Sequence, residues 1–222
     1  MPRIPRGSGD NLIYHVLNRG NGRQVVFHKD GDYAAFIDLM KEAKERCPVK
    51  LFAYCLMPTH FHMVVMADRG EELSRWMQWL MTSHVRRYHS HHGGDGHVWQ
   101  GRFKSFIVEK DEHLLMVLRY VEGNPVRANL VHSAKEWRWS SHRERIEKDS
   151  SGFLDDLPVE LPPDWGRYVD SPLTESEVEK LRESVNRQCP YGAPGWQVRI
   201  ASELGLESTM RPRGRPKGEQ RG

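Results

Sequence analysis

Three side chains open the question of chemistry in this sequence: His60 and His62 in "MPTHFHMVV" (residues 57–65), and Tyr120 in "LRYVEGNPV". The histidine segment is apolar enough for a buried strand. Alternation along a strand sends residues i and i+2 to one face, so His60 and His62 project together and Phe61 and Met63 project oppositely. Two neutral imidazoles at that spacing can hold one divalent ion, with further ligands supplied from elsewhere. A polar pair among apolar residues is costly unless it is satisfied. Metal binding and hydrogen-bonded histidines on an open sheet face both satisfy it. The pattern recurs at His89-Ser90-His91, where a helix end makes i and i+2 diverge and the surroundings are polar.

Tyr120 sits in "DEHLLMVLRYVEGN", where Leu114, Val117, Leu118 and Val121 form an apolar stripe at helical spacing. Tyr120 lies roughly 100–120° from the centre of that stripe, so it can line a cleft edge while the stripe packs. Asn124 follows one turn later on the same side and His113 precedes by two turns. Asn124 also precedes Pro125, a position that suits a helix C-cap. Tyr120 has an ordinary alternative too, as a half-buried packing tyrosine.

The elements that must position these groups are legible in the pattern. "NLIYHVLNRGN" alternates into a Gly-Asn turn, giving a strand near 12–18. "DYAAFIDLMKEAKERC" has helical periodicity and stops at Cys47-Pro48. "KLFAYCLMP" and "HFHMVVMA" form a hairpin across a Pro-Thr turn. "EELSRWMQWLMTSHVRRYHS" is a long amphipathic helix, "HVWQGRFKSFIVE" a strand and "DEHLLMVLRYVEGNPV" a helix stopped by Asn-Pro. The order β-α-β-β-α-β-α predicts an α+β fold: a ferredoxin-like split β-α-β antiparallel sheet with helices on one face, plus an added helix. "WRWSSHRERIEK" predicts a short helix capped by Ser140 or Ser141. Asp149 to Pro172 reads as a proline- and acid-rich linker wrapping the surface. Two C-terminal helices follow, the first with a Thr174…Glu177 capping box. Three parts result: residues 1–148, an extension over 149–210, and a basic tail over 211–222.

With 222 residues and 38% hydrophobic content, the chain can bury a sizeable core. The opening "MPRIPRGSGDNL" shows no secretory signal, no apolar run approaches membrane-spanning length, and Cys47, Cys55 and Cys189 form no CxxC pair. A reducing cytoplasm is the expected setting. The net charge of +3 is uneven: +6 over residues 1–148, −7 over 149–183, balance over 184–210, and +4 over the last twelve residues. Such a division suits a polyanionic partner touched at two places, although an acidic segment is equally a solvated surface.

"THFHMVV" followed about sixty residues later by "RYVEGNPVRANLV" resembles the single-tyrosine HUH transposases of the insertion-sequence-200-like superfamily. Together with "YHVLNRGNGRQVVF", "VWQGRFKS", "WRWSSHR" and "LGLESTMRPRGRP", these motifs are most similar to the REP-associated tyrosine transposases of bacteria. The resemblance implies His60, His62 and Asn124 as ligands of Mg²⁺ or Mn²⁺, and Tyr120 as a nucleophile forming a 5′-phosphotyrosyl link. Arg119, Arg127 or the metal could ease deprotonation of the phenol. The implied partner is single-stranded DNA carrying a hairpin from repetitive extragenic palindromes, met in the bacterial nucleoid by a monomer, with a dimer as the alternative. Arg19, Arg23, Arg86, Arg87, Arg102, Lys104 and Arg127 are candidate phosphate contacts, and Trp99, beside Arg102, is a candidate for base stacking with a core tryptophan as the more ordinary reading. "RPRGRPK", with Arg211, Arg213, Arg215 and Lys217, resembles an AT-hook. A hairpin-binding regulator with little cleavage is the rival reading. The histidine-rich "HSHHGGDGH" departs from the family pattern and raises a second, adventitious metal site.

Overall fold

The computed structural model describes residues 7–147 and 153–211. Four strands, β1 (Leu12–Arg19), β2 (Lys50–Met57), β3 (His60–Ala67) and β4 (Lys104–Val108), form one antiparallel sheet in the order β2-β3-β1-β4. This is the split order expected from the sequence. Alternation then sorts the side chains into two cores. Tyr14, Val16, Phe61, Met63 and Val65 face α1 (Asp30–Arg46) and α2 (Gly70–His92), meeting Phe36, Met40, Trp76 and Leu80. Ile13, Cys55, Val64 and Phe106 face the other way, onto α3 (Glu112–Glu122). The two helices of the split repeat thus share one face as predicted, and the added helix covers the opposite one.

The predicted apolar stripe of α3 is its packing face, since Leu114, Val117, Leu118 and Val121 have no exposure. Asp111 starts the helix by accepting the His113 amide at 2.9 Å. The helix stops sooner than the sequence suggested. Gly123 closes it, and a Cβ there would come within 2.9 Å of the Arg119 carbonyl and 3.1 Å of the Val169 carbonyl. A separate turn, α4 (Asn124–Arg127), then begins with Pro125 in its first turn. The C-cap place falls to Gly123, which leaves Asn124 free of that duty.

The strand expected from 97 onward is shorter than predicted. Gly101 has φ +151°, and Trp99 pairs with Gly20 in an isolated bridge, so regular pairing starts only at Lys104. α5 (Ser141–Glu147) is capped by Ser140, whose hydroxyl accepts the His142 amide at 3.1 Å. The acidic stretch does wrap the body, but its aromatic residues turn inward. Phe153 joins the first core, and Trp165 and Val169, on α6 (Trp165–Asp170), join the second. α7 (Glu175–Arg187) carries the predicted capping box, with Thr174 Oγ1 accepting the Glu177 amide and Glu177 Oε2 accepting the Thr174 amide. Tyr191 then runs beside β4, and α8 (Pro194–Glu203) and α9 (Glu207–Met210) close the chain against Gly7 and Ile107.

Candidate active site between the central strands and the third helix

The register of the sheet decides which groups meet. His60 pairs with Arg19 on β1 and Met57 on β2, and His62 pairs with Leu17 and Cys55. Directly opposed residues share a face, so Arg19 stands beside His60 on the α3 side. Lys104 pairs with Leu17 and is carried to the same side. His60 is half-buried and His62 is 4% exposed. Their rings lie 5.1 Å apart and nearly perpendicular.

Each histidine has one ring nitrogen engaged and the same one left over. His60 Nδ1 lies 3.0 Å from the Thr59 hydroxyl, and His62 Nδ1 lies 2.9 Å from His15 Nε2. Nε2 is the nitrogen available on both. Burial, then Arg19 and Arg127, holds His60 down to about 4. Burial first, then His15, His60 and the two arginines, pushes His62 well below the usual imidazole range. Both rings are therefore neutral at physiological pH, the state a ligating imidazole requires.

Tyr120 reaches this pair from α3. Its ring is 5.8 Å from His62 and 6.1 Å from His15, edge-on to both, and it is 8% exposed. Asn124 follows as the first residue of α4, 6% exposed, and its amide has no hydrogen-bond partner among the described residues. The two imidazole Nε2 atoms and the Asn124 amide oxygen are neutral donors that could hold a divalent ion, with water or phosphate oxygens completing its coordination.

Arg127 lies with its guanidinium carbon 4.0 Å from the Tyr120 ring centroid and donates from Nη1 to the Tyr120 carbonyl at 3.3 Å. Burial lowers its pKa. Arg119 does not face the phenol. It donates to the carbonyls of Ser171 and Pro172 at 2.9 and 3.0 Å and covers the Tyr168 ring, which fixes the connection between α6 and α7. Of the two arginines proposed to ease the phenol's deprotonation, Arg127 alone stacks on it. His113, expected on the Tyr120 side, instead bonds Asp111 at 2.8 Å and packs on Tyr191.

The other basic residues are divided between layers. Arg19, Lys104 and Arg127 border the histidine pair. Arg102 lies on the loop tied to the end of β1, where Gln100 N donates to the Arg19 carbonyl at 2.8 Å and Asn18 to that of Gly101 at 3.0 Å. Arg86, on α2, faces Arg102 across a groove of about 800 Å³ floored by Met77, Met81, Val85 and Phe103. Arg87 points along the other flank of α2, toward α1. Arg23 is exposed in the turn after β1, and Arg211 is exposed after α9. Arg213, Arg215 and Lys217 lie outside the described residues. Trp99 is a core residue, 4% exposed among Phe27, Phe36, Phe61 and His84, and borders the same groove with little surface for a base.

Two histidines of the histidine-rich stretch are tied elsewhere: His92 bonds Asp32 on α1 at 3.3 Å and His89 bonds the Gly96 carbonyl at 3.2 Å. Among the described residues, the one His, Cys, Asp and Glu triad at metal-like spacing is Glu109, Asp111 and His113. It lies past the far end of β4, with Glu109 accepting the Ala193 amide at 2.7 Å and Asp111 capping α3.

Two residues that shape the site carry no motif-level signal. His15 is fully buried beneath the pair; a histidine at an alternating position of a central apolar strand is its only trace. Glu122, also fully buried, accepts from Ser141 (2.7 Å), His142 (2.9 Å), Arg145 (3.1 Å) and Trp165 (2.7 Å). Burial raises its pKa, but the His142 hydrogen bond and Arg145 outweigh that and hold it at about 2. This one carboxylate joins α3, α5 and α6 directly behind Tyr120.

Residues 8–124 match the family described as "Transposase IS200 like". A curated protein of Haemophilus influenzae (strain ATCC 51907 / DSM 11121 / KW20 / Rd), "Putative REP-associated tyrosine transposase", is 25% identical over 146 residues, spanning 61% of this chain and 77% of that protein. A solved structure, "Structure of the REP associates tyrosine transposase bound to a REP hairpin", superposes with a TM-score of 0.54 at 17% identity, covering 78% of this chain and 96% of that one. At that identity the likeness is one of fold.

Proposed function

The chain belongs to the IS200-like transposase family, a family of enzymes, and on that premise we propose that it cuts and rejoins single-stranded DNA beside a hairpin, with Tyr120 as nucleophile. The observation that carries this reading is the convergence of Tyr120 on His62, with Arg127 laid on the phenol ring. A packing tyrosine has no need of a neutral imidazole pair on one side and a half-buried guanidinium on the other.

His60, His62 and Asn124 would hold a divalent ion, Mg²⁺ or Mn²⁺, which supplies charge neutralisation on a non-bridging phosphate oxygen. The Tyr120 oxygen attacks the phosphorus: its proton leaves to solvent, the new O–P bond forms, the bond from phosphorus to the 3′-oxygen breaks, and that oxygen takes a proton from solvent to leave as a 3′-hydroxyl. The positive charge of Arg127 stabilises negative charge developing on the attacking oxygen. Arg127 and Arg19 also place positive charge where the phosphate must sit. The 5′-phosphotyrosyl bond retains the energy of the cleaved link, so a 3′-hydroxyl can reverse the step without a further energy source.

One tyrosine and one ion make one cut, which suits a single strand. The solved relative named for a REP hairpin supports a hairpin of that kind as the partner. The strand leaving Arg19 and Lys104 has the Arg102–Arg86 groove as its continuation, with phosphate contacts that hold position without reading sequence. The basic run Arg211, Arg213, Arg215 and Lys217, by its resemblance to an AT-hook, would add phosphate contacts. The setting so proposed is nucleoid DNA in the cytoplasm, met by a monomer.

The test is to incubate the full chain and Mn²⁺ with hairpin-bearing single strands and resolve products under denaturing conditions. A protein–DNA adduct is expected, abolished in Tyr120→Phe while hairpin binding persists. An undiminished adduct in that variant moves the nucleophile elsewhere. Tight hairpin binding with no adduct in the unaltered chain selects the regulator instead.

A further inference from the structure

We propose that His15 is a positioning residue that fixes the proton of His62 on Nδ1 and thereby keeps His62 Nε2 free as a ligand. This rests on the reading of His60 and His62 as an ion site and specifies how one of them is prepared. His15 lies on β1, diagonal to His62 across the β1–β3 pairing. Its Nε2 is 2.9 Å from His62 Nδ1, and the rings are parallel within 2° with centroids 5.0 Å apart.

Only one proton fits between two such nitrogens. If His62 Nδ1 carries it, His15 Nε2 accepts, and the lone pair of His62 is on Nε2. If His15 Nε2 carries it, His62 must hold its proton on Nε2 and cannot ligate through that atom. The second ring nitrogen of His15 separates the two cases. His15 Nδ1 is buried without a hydrogen-bond partner among the described residues. It is an N–H in the first case and a bare lone pair in the second. Phe106 stands T-shaped to His15 at 4.9 Å and 69°, and the electron-rich face of an aromatic ring receives an N–H weakly but repels a lone pair.

The two ligands are therefore prepared differently. His60 Nδ1 meets the Thr59 hydroxyl, which can donate or accept and so does not choose a tautomer. His15 can change role only by moving a proton between its own two nitrogens inside the core. Outer partners of this sort tune metal affinity by about 10–100-fold, and the usual partner is a carboxylate, carbonyl or water. An imidazole in that place adds no negative charge beneath a site that must receive a phosphate.

The test uses the full chain and two readouts. In metal-free protein, nitrogen-15 histidine spectra are expected to show His62 protonated on Nδ1 and His15 accepting on Nε2. Mn²⁺ titration should find affinity reduced about 10–100-fold in His15→Leu, and restored to within about threefold in His15→Gln, whose amide oxygen can accept from Nδ1–H. A His62 protonated on Nε2 in the unaltered chain overturns the proposal, as does a folded His15→Leu that binds Mn²⁺ as well as the unaltered chain. If His15→Leu does not fold, the spectra of the unaltered chain decide alone. Failure of the unaltered chain to bind Mn²⁺ overturns the ion site itself, while the spectra still rule on the His15–His62 bond.

Discussion

His84 and His62 are equally buried, at 4% exposure, on opposite sides of the same sheet. Burial pushes His84 down to about 3 and His62 well below the usual range. Neither desolvation nor lost basicity distinguishes them. Their neighbours do. His84 packs on Phe36 at 5.0 Å, Trp99 at 5.2 Å and Phe27 at 5.6 Å, and its Nδ1 has no partner among the described residues. It behaves as a flat core ring. His62 instead joins a line from His15 through its own ring to His60 and Tyr120. A buried histidine marks a site when its polar atoms lead to a group that can react.

The largest expected effect breaks or upholds that distinction. His62→Ala should lower adduct formation by about 10³-fold or more, the scale of an ion contributing several kcal/mol to the transition state. His84→Leu should leave the adduct rate within about threefold, and removal of the unpaired nitrogen should offset part of any packing loss. Single-turnover rates on one hairpin substrate, with thermal melts of each variant, make the comparison. Equal losses of rate in two folded variants would erase the difference between the layers.

A second pair repeats the lesson with charge. Arg119 and Arg127 both lie over tyrosine rings, at 4.4 and 4.0 Å, but only Arg119 has committed its donors to the α6–α7 connection. Arg127→Gln should reduce adduct formation by about 10²-fold, the cost of removing one preorganised donor. Arg119→Gln should lower the melting temperature and spare the rate of the protein that remains folded. A rate loss confined to Arg119→Gln would reverse the assignment.

Much of this arrangement was legible in the sequence. The strand alternation of His60 and His62 and the helical offset of Tyr120 are properties of a single element each, so periodicity reports them directly. The β-α-β-β-α-β order carried the sheet topology for the same reason. What the pattern could not report depends on contacts between distant segments. Gly123 ends α3 because the Val169 carbonyl passes close by, a fact written 46 residues away. Trp99 stands near Arg102 in sequence, which leaves stacking and core packing both open, and the Gly20 bridge that folds it inward is made with a segment far away in sequence. His15 and Glu122 were missed because an isolated polar residue in an apolar run has no period to betray it. Their partners, His62 for the one and Ser141, His142, Arg145 and Trp165 for the other, meet them only in three dimensions.

Glu122 also sharpens the contrast between layers, since it is the buried charge that steadies the helix bearing Tyr120. Its folded pKa of about 2 lies below the usual 4.5. A depressed carboxylate contributes stability above the unfolded pKa, lost as pH falls through the folded one. Stability should therefore decline from about pH 4.5 toward pH 2, by about 3 kcal/mol from this group. Glu122→Gln should lower stability near neutrality by about 3 kcal/mol, because His142 and Arg145 lose their buried partner. The same variant should flatten the acid limb of a denaturation-against-pH series. A limb of unchanged slope would assign the acid sensitivity to other carboxylates.

The smallest effect falls on the α1–α2 side, where two adjacent arginines of one helix part company. Arg86 borders the groove it shares with Arg102, and Arg87 lies on the opposite flank with Asp38 and Glu42. If the strand leaving the site runs through that groove, Arg86→Ala removes one phosphate contact. The slope of log affinity against log salt should then fall by about 0.7 for a single strand. Arg87→Ala should leave the slope unaltered, because a cation beside carboxylates on the far flank releases no counterion from DNA. Both variants keep the helix, since alanine is the better helix former, so a difference between them reads the path of the strand and not the stability of α2. Equal slopes would confine DNA to the α3 side, and the groove would then have no part in holding the strand.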